Sequence, residues 1–273
     1  MKKKNSKLTN VLVIVIFIIG LSLVLYPTVS DYWNSFHQTQ AIVGYSEAVK
    51  NIDSNQFVKY WEQADAYNKS LISKANRWIL SEEECKLYQN ILNVSGTGIL
   101  GYIEIPSIQV MLPVYHGVEE SVLQIAVGHI EGSSLPVGGE STHSVLSGHR
   151  GLPSAKLFTN LDQMAEGDLF MLNVLDRTLT YQVDQILIVE PEDLSALEIE
   201  QGKDYCTLVT CTPYGVNSHR ILVRGYRVDN IPEDVQVVAD ALEIDPIIVA
   251  TAIGAIMLAL FLIVVMIATR KKK

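Results

Sequence analysis

Acidic residues are missing from both ends of this 273-residue chain. None occurs in residues 1–30 or 247–273, although each end carries four Lys or Arg. All 30 Asp and Glu therefore lie between Asp31 and Asp245, against 13 of the 21 Lys and Arg, a local balance of −17 within an overall −9. A middle so short of positive charge excludes a nucleic-acid binder, which needs a basic surface to displace counterions from phosphate. Cysteine is scarce as well. Cys85, Cys206 and Cys211 make an odd set, so at least one thiol stays free, although a Cys85–Cys206 bridge is compatible with the sequence. The His and Cys residues show no ligand-like spacing, so no metal site is expected, and no cofactor. No repeat or low-complexity stretch is present, and 48% hydrophobic with 19% charged residues excludes disorder.

Two apolar runs occupy the charge-poor ends. Val11–Tyr26 follows four lysines, is short for a span of roughly 20 residues, and is extended by Pro27–Val29. A cleaved signal peptide is its rival, but no small-x-small site follows, so an uncleaved anchor is expected. Ile247–Thr269 has 23 residues without a charge and ends in Arg270-Lys271-Lys272-Lys273, the pattern of a transmembrane helix. Both basic clusters should stay in the cytoplasm, which places residues 31–245 outside the membrane. None of the Leu-Pro pairs (Leu112-Pro113, Leu135-Pro136, Leu152-Pro153) continues as Leu-Pro-x-Thr-Gly, so the tail reads as a permanent span rather than a sorting tail.

The outer region divides by periodicity. Residues 31–92 read as a helical arm, with Phe57, Tyr60, Trp61, Ala64 and Leu71 at helix spacing and a Ser81/Glu84 capping box before a short helix. Ser95-Gly96-Thr97-Gly98 marks a break. Residues 93–230 read as a β domain, with strands at Ile99–Ile105, Val110–Val114, Ser144–Ser147, Leu169–Val174, Thr178–Val189, Asp204–Cys211 and Arg220–Val228. One helix is expected near Lys156–Asp162. Many short strands suggest a closed barrel or sandwich. Residues 231–246 form a linker and 247–273 the second span with its basic tail.

Chemistry concentrates in Asp204–Val228. Two strands joined by Thr212–Ser218 lie side by side, so Cys211 and Arg220 should be neighbours at one rim. Cys206 is five positions from Cys211, an odd offset that puts the two thiols on opposite faces. Cys211, at the strand end, is the exposed candidate, and Cys206 is expected in the core. A guanidinium would favour a thiolate or hold the oxyanion formed when it attacks a carbonyl. Thiol chemistry also needs a proton-transfer group, usually His. Spacing leaves His149, in Ser147-Gly148-His149-Arg150-Gly151, beside His143 and His129 as candidates. His116 offers no spacing argument, His37 lies in the arm, and His219 faces away from Arg220.

Thr207-Leu208-Val209-Thr210-Cys211 with Arg220 nine residues on resembles the signature of the sortases, exported cysteine transpeptidases of Gram-positive bacteria. Gly101–Ile108, Gly132–Gly139, Thr142–Asp162 and Thr207–Gly225 resemble the class C, pilus-building branch, in the right order, and a carboxyl-terminal span is similar to that branch. The resemblance implies an eight-stranded sortase β-barrel, with Cys211 as nucleophile, His149 as general acid and base, and Arg220 as third member. It implies cleavage of a Leu-Pro-x-Thr-Gly-like motif between Thr and Gly through a thioester, with pilin subunits as partners and a pilin lysine as acceptor. The alternatives are a sortase that anchors proteins to peptidoglycan and a non-catalytic, membrane-tethered β-barrel binding module. One departure stands out. Pilus sortases typically carry an Asp-Pro-aromatic lid in the arm, whereas the one Asp-Pro here is Asp245-Pro246, and the matching arm region is Ala75-Asn76-Arg77-Trp78-Ile79-Leu80. The lid is therefore expected to be absent or loosely held.

Overall fold

The computed structural model describes residues 5–230, 251, 254–259 and 261–262. Three helices precede the strands. α1 runs from Asn5 to Lys50 without a break at the expected anchor–arm boundary, α2 spans Ser54–Ile72 and α3 spans Glu82–Asn90. α1 contains the one helix among the described residues long and apolar enough to cross a membrane. Capping boxes start the other two. Asp53 and Gln56 satisfy each other's backbone donors at α2, and Ser81 and Glu84 do so at α3. The linker and most of the expected second span lie outside the described residues. Those described between 251 and 262 are helical.

The chain divides into two compact units. The smaller holds α1 up to Ser35, residues 153–155 and the described residues of the carboxyl-terminal segment. Within it the Phe17 and Phe261 rings stack with centroids 4.2 Å apart, and Asn34 donates to the Ser154 carbonyl at 2.8 Å.

The larger unit is a closed barrel of eight strands: β1 Ile99–Ile105, β2 Val110–His116, β3 Val127–His129, β4 Thr142–Ser147, β5 Leu169–Val174, β6 Arg177–Val189, β7 Asp204–Thr212 and β8 His219–Val228. Their order around the barrel is β1-β2-β3-β4-β7-β8-β6-β5. β2 with β3 and β4 with β7 are parallel, and the remaining pairs are antiparallel. Closure removes the sheet edges. Along β7 the residues alternate. Cys206, Leu208 and Thr210 are buried inward, while Tyr205, Thr207 and Val209 face outward beneath other segments. Phe170 and Tyr181 stack at 5.4 Å in the core.

The structure departs from expectation in two places. β3 was not foreseen; its three residues are too few to show alternation and are held by pairing with both β2 and β4. The helix expected near Lys156–Asp162 does not form; a single 3-10 turn at Leu161–Gln163 stands there instead. Leu157 takes φ +39°, which breaks helical continuity, and Phe158 N–H donates to the His149 carbonyl at 3.1 Å. Phe158 and Leu161 are fully buried, so their apolar spacing reflects a packed loop rather than a helix face.

The arm is tied to the barrel by polar contacts as well as by packing. The Tyr45 hydroxyl donates to the Leu100 carbonyl at 3.0 Å and accepts from Leu175 N–H at 2.8 Å. Trp61 Nε1 donates to Asp176 at 2.9 Å, with the Arg177 guanidinium 4.1 Å over its ring.

Candidate active site

Register brings Cys211 and Arg220 into one row. Cys211 on β7 is directly opposite Arg220 on β8. Side chains directly opposite in an antiparallel pair share a face, with Cβ atoms about 4.5–5.5 Å apart. On the other side of β7, β4 runs parallel with Ser147 opposite Val209. Contact continues past the end of β4, because Gly148 N–H donates to the Val209 carbonyl at 3.1 Å and Thr210 Oγ1 donates to the Gly148 carbonyl at 2.6 Å. His149 follows two residues after the end of β4, and Cys211 two residues after Val209 on β7. Cys211 and Arg220 therefore share the outer face, where the Arg220 guanidinium donates to the Asn217 and His219 carbonyls at 3.2 and 3.0 Å, and the Gly148 contacts hold the loop that carries His149 against β7.

The loop carrying His149 is held in shape. A Cβ on Gly148 would lie 2.8 Å from the Phe158 ring, so this glycine serves a close approach. Gly151 has φ +75° and faces Tyr214. Arg150, whose side chain is only 8% exposed, donates to Thr212 Oγ1 at 3.1 Å and pairs with Asp162. It thereby ties the histidine loop to the residue after Cys211. The sequence reading gave Arg150 no role.

The remaining histidines have other duties. His129 is fully buried, with Nδ1 2.8 Å from the Tyr88 hydroxyl and Nε2 2.8 Å from the Ser134 carbonyl, and burial pushes its pKa down to about 3. His143 lies between the Glu198 carbonyl (2.9 Å) and Thr207 Oγ1 (2.7 Å), and burial pushes it down to about 4. His116 contacts the Gly98 and Ile91 carbonyls at 2.9 and 2.8 Å, and burial lowers its pKa too. His219 pairs with Glu190 at 3.2 Å, and His37 sits edge-on to Phe36. Of the three open candidates His129 and His143 are buried, and His149 is 29% exposed in the loop held against β7.

All three cysteines are free, so no Cys85–Cys206 bridge exists. Cys206 is fully buried, which raises its pKa well above the ordinary thiol value. Cys85 points its thiol at Glu131, 3.9 Å away, and desolvation raises its pKa as well. Cys211 is half-buried. Among the described residues no group of three or more His, Cys, Asp or Glu is placed to hold a metal ion.

An apolar patch continues the row along the same face. Val145, Leu197, Val209 and Leu222 form a buried cluster, and Trp78, Ile130, Leu187, Val189 and Ala196 pack on it. Val209 and Leu222 are two residues from Cys211 and Arg220 and so share their face. Trp78 thus lies on the surface that leads to the thiol. Its segment is anchored through Arg77. Arg77 is 5% exposed, donates to the Gly132 carbonyl at 3.0 Å and the Leu197 carbonyl at 2.6 Å, and lies 4.1 Å over the Trp78 ring. Burial lowers the Arg77 pKa, and Glu198 opposes that. Gly132, at φ +85°, admits the Arg77 carbonyl where a Cβ would collide with it. The anchor escaped the sequence reading because its acceptors are backbone carbonyls far away in the chain.

Comparison with known proteins points to one family. The Sortase domain family model matches residues 103–228. The crystal structure of sortase C1 from Streptococcus agalactiae is 52% identical, covering 70% of this chain and 100% of that one, with a TM-score of 0.69. Sortase C of Streptococcus pneumoniae, whose structure is described as bearing on pilin substrate specificity, is 43% identical over 71% of this chain and 99% of that one, with a TM-score of 0.61. Sortase D of Bacillus subtilis is 31% identical over 131 residues, 47% of this chain. The match spans 63% of that protein, less than two thirds of its length.

Proposed function

The chain belongs to the sortase family, and from that premise we propose that it is a membrane-anchored pilus-assembly transpeptidase. It cleaves a Leu-Pro-x-Thr-Gly-like sorting motif between Thr and Gly and transfers the acyl group to a pilin lysine. The observation that carries this reading is the pairing of Cys211 with Arg220 across β7 and β8, beside the loop that bears His149.

The Cys211 thiolate attacks the Thr carbonyl carbon. The oxyanion that develops is held by the Arg220 guanidinium, a fixed donor that cannot lose its charge. As the Thr–Gly C–N bond breaks, protonated His149 gives its proton to the departing Gly amine, leaving a thioester on Cys211. The incoming lysine amine attacks that thioester, neutral His149 takes the amine's proton, and the thiolate leaves. General acid–base assistance of this kind is typically worth on the order of 10²–10⁴ in rate. Trp78 and its anchored segment act as the lid of the groove, standing over the apolar patch that receives the peptide.

The membrane topology is two spans with the barrel outside. The apolar stretch of α1, the uncharged run at 247–269 with its basic end, and the Phe17–Phe261 stacking support that reading. The test is a reaction of the full-length protein in membranes with a pilin bearing a sorting motif. A covalent ladder that Cys211→Ala abolishes is expected. One adduct on peptidoglycan and no ladder would replace this reading with wall anchoring, and no adduct of any kind would leave only a binding module.

A further inference from the structure

One carboxylate reaches His149 from another part of the chain. Glu120 opens α4, the short helix Glu120–Leu123 that follows β2. Its Oε2 is 3.6 Å from His149 Nε2, the reach of an ion pair rather than of a hydrogen bond. Gln124, one turn on, donates its side-chain amide to the Glu120 carboxylate. That donation, and after it the nearby imidazole, hold the Glu120 carboxyl below the ordinary carboxylate range.

The segments that flank α4 are tied down on both sides. Gln38 on α1 donates to the Ile125 carbonyl at 2.7 Å, and Gly117 N–H donates to the Tyr88 hydroxyl at 3.1 Å. Other charged groups near the imidazole are engaged elsewhere or lie in the row itself. Arg150 is held by Asp162 and Thr212, Glu119 lies over Gly117, and Arg220 is beyond Cys211.

The two imidazole nitrogens are chemically distinct, and a partner that accepts from one leaves the other for proton exchange. We propose that Glu120 is a positioning residue for His149. Its carboxylate keeps the proton on Nε2, so that Nδ1 is the nitrogen that exchanges protons with the thiol, the departing amine and the incoming amine. This rests on reading His149 as the acid and base. In the neutral ring Nε2–H faces Glu120 and the Nδ1 lone pair takes the Cys211 proton. In the imidazolium Nδ1–H delivers that proton to the Gly amine, and Glu120 stays ionised throughout. The pair is exposed in the open site, 29% at His149 and 71% at Glu120, and is weak there. A peptide lying along the row would displace water from it and strengthen it.

The test uses the full chain in nanodiscs, a Leu-Pro-x-Thr-Gly peptide and a lysine-containing acceptor peptide. Glu120→Gln should lower kcat about three- to fivefold with the sorting-peptide KM unchanged. Glu120→Asp should restore most of the loss. The ¹⁵N shifts of the His149 ring, assigned by difference from His149→Ala, should change from an Nε2-protonated pattern to mixed tautomers in Glu120→Gln. An unaltered kcat and tautomer pattern in Glu120→Gln, with Cys211→Ala and His149→Ala inactive, would overturn the positioning role and leave the enzyme reading standing. Full activity in His149→Ala would overturn the reading of His149 as the acid and base, and with it the premise of this positioning role.

Discussion

Replacing Arg77 by Met should speed acylation of Cys211. The substitution keeps the aliphatic stem against its neighbours and removes the guanidinium. Two charge-assisted hydrogen bonds, to Gly132 and Leu197, are lost, together with the contact over Trp78. Bonds of this kind are worth about 1.5–3 kcal/mol each. Glu198, 3.7 Å away, has a side chain 62% exposed and adds little after solvent screening. Water satisfies the freed carbonyls once the segment lifts, which returns part of the loss, so on the order of 2–3 kcal/mol remains. At about 1.4 kcal/mol per tenfold, the open form gains roughly 30- to 150-fold in population. A peptide that binds only the open form gains apparent affinity by the same factor while the closed form predominates. The assay is the rate of thioester formation at subsaturating sorting peptide, read by mass spectrometry, beside the fluorescence of Trp78. An unchanged rate with Trp78 released into solvent would refute the idea that this segment covers the peptide's path.

Gly132→Ala should act in the same direction as Arg77→Met, because its Cβ collides with the Arg77 carbonyl at a backbone angle of φ +85°; a variant with wild-type acylation would contradict that. Cys211→Ala should abolish thioester formation, whereas Cys206→Ala should retain turnover and lose about 1 kcal/mol of stability through a small cavity; equal loss of turnover would contradict the assignment of faces. Acid should destabilise the fold through His143 and His129. Their folded pKa values of about 4 and about 3 lie below the ordinary 6.5, so the unfolded chain binds more protons as pH falls from 6.5 toward 4. Stability should be insensitive to these groups above about pH 6.5 and fall by about 1.4 kcal/mol per pH unit for each histidine below it. Denaturant titrations at several pH values would show this, and a slope that His143→Gln leaves unaltered would contradict it.

How far the sequence reaches depends on how local each determinant is. The β7–β8 hairpin is legible because alternation and a short connection fix its register, so the Cys211–Arg220 pairing and the opposite facing of Cys206 follow from counting. Choosing among histidines by spacing stops short. His143 and His149 share a parity, and only residues 198 and 207, distant in the chain, close over His143. His129 is settled by Tyr88 on α3, 41 residues away. β3 is too short to alternate and exists by virtue of its two neighbours. The apolar spacing of Leu157, Phe158 and Leu161 imitates a helix because each is buried in an irregular loop. Arg77 and Glu120 act through partners 29 to 120 residues away, and no local pattern marks such contacts.

The account turns on the convergence of residues 149, 211 and 220. Its most direct test is to react the full-length chain with a Leu-Pro-x-Thr-Gly peptide, digest it, and locate the adduct by mass spectrometry. A thioester on Cys211 that disappears in His149→Ala and Arg220→Ala is the predicted result. An adduct on Cys85 or Cys206, or one on Cys211 that forms equally well in both variants, would contradict it.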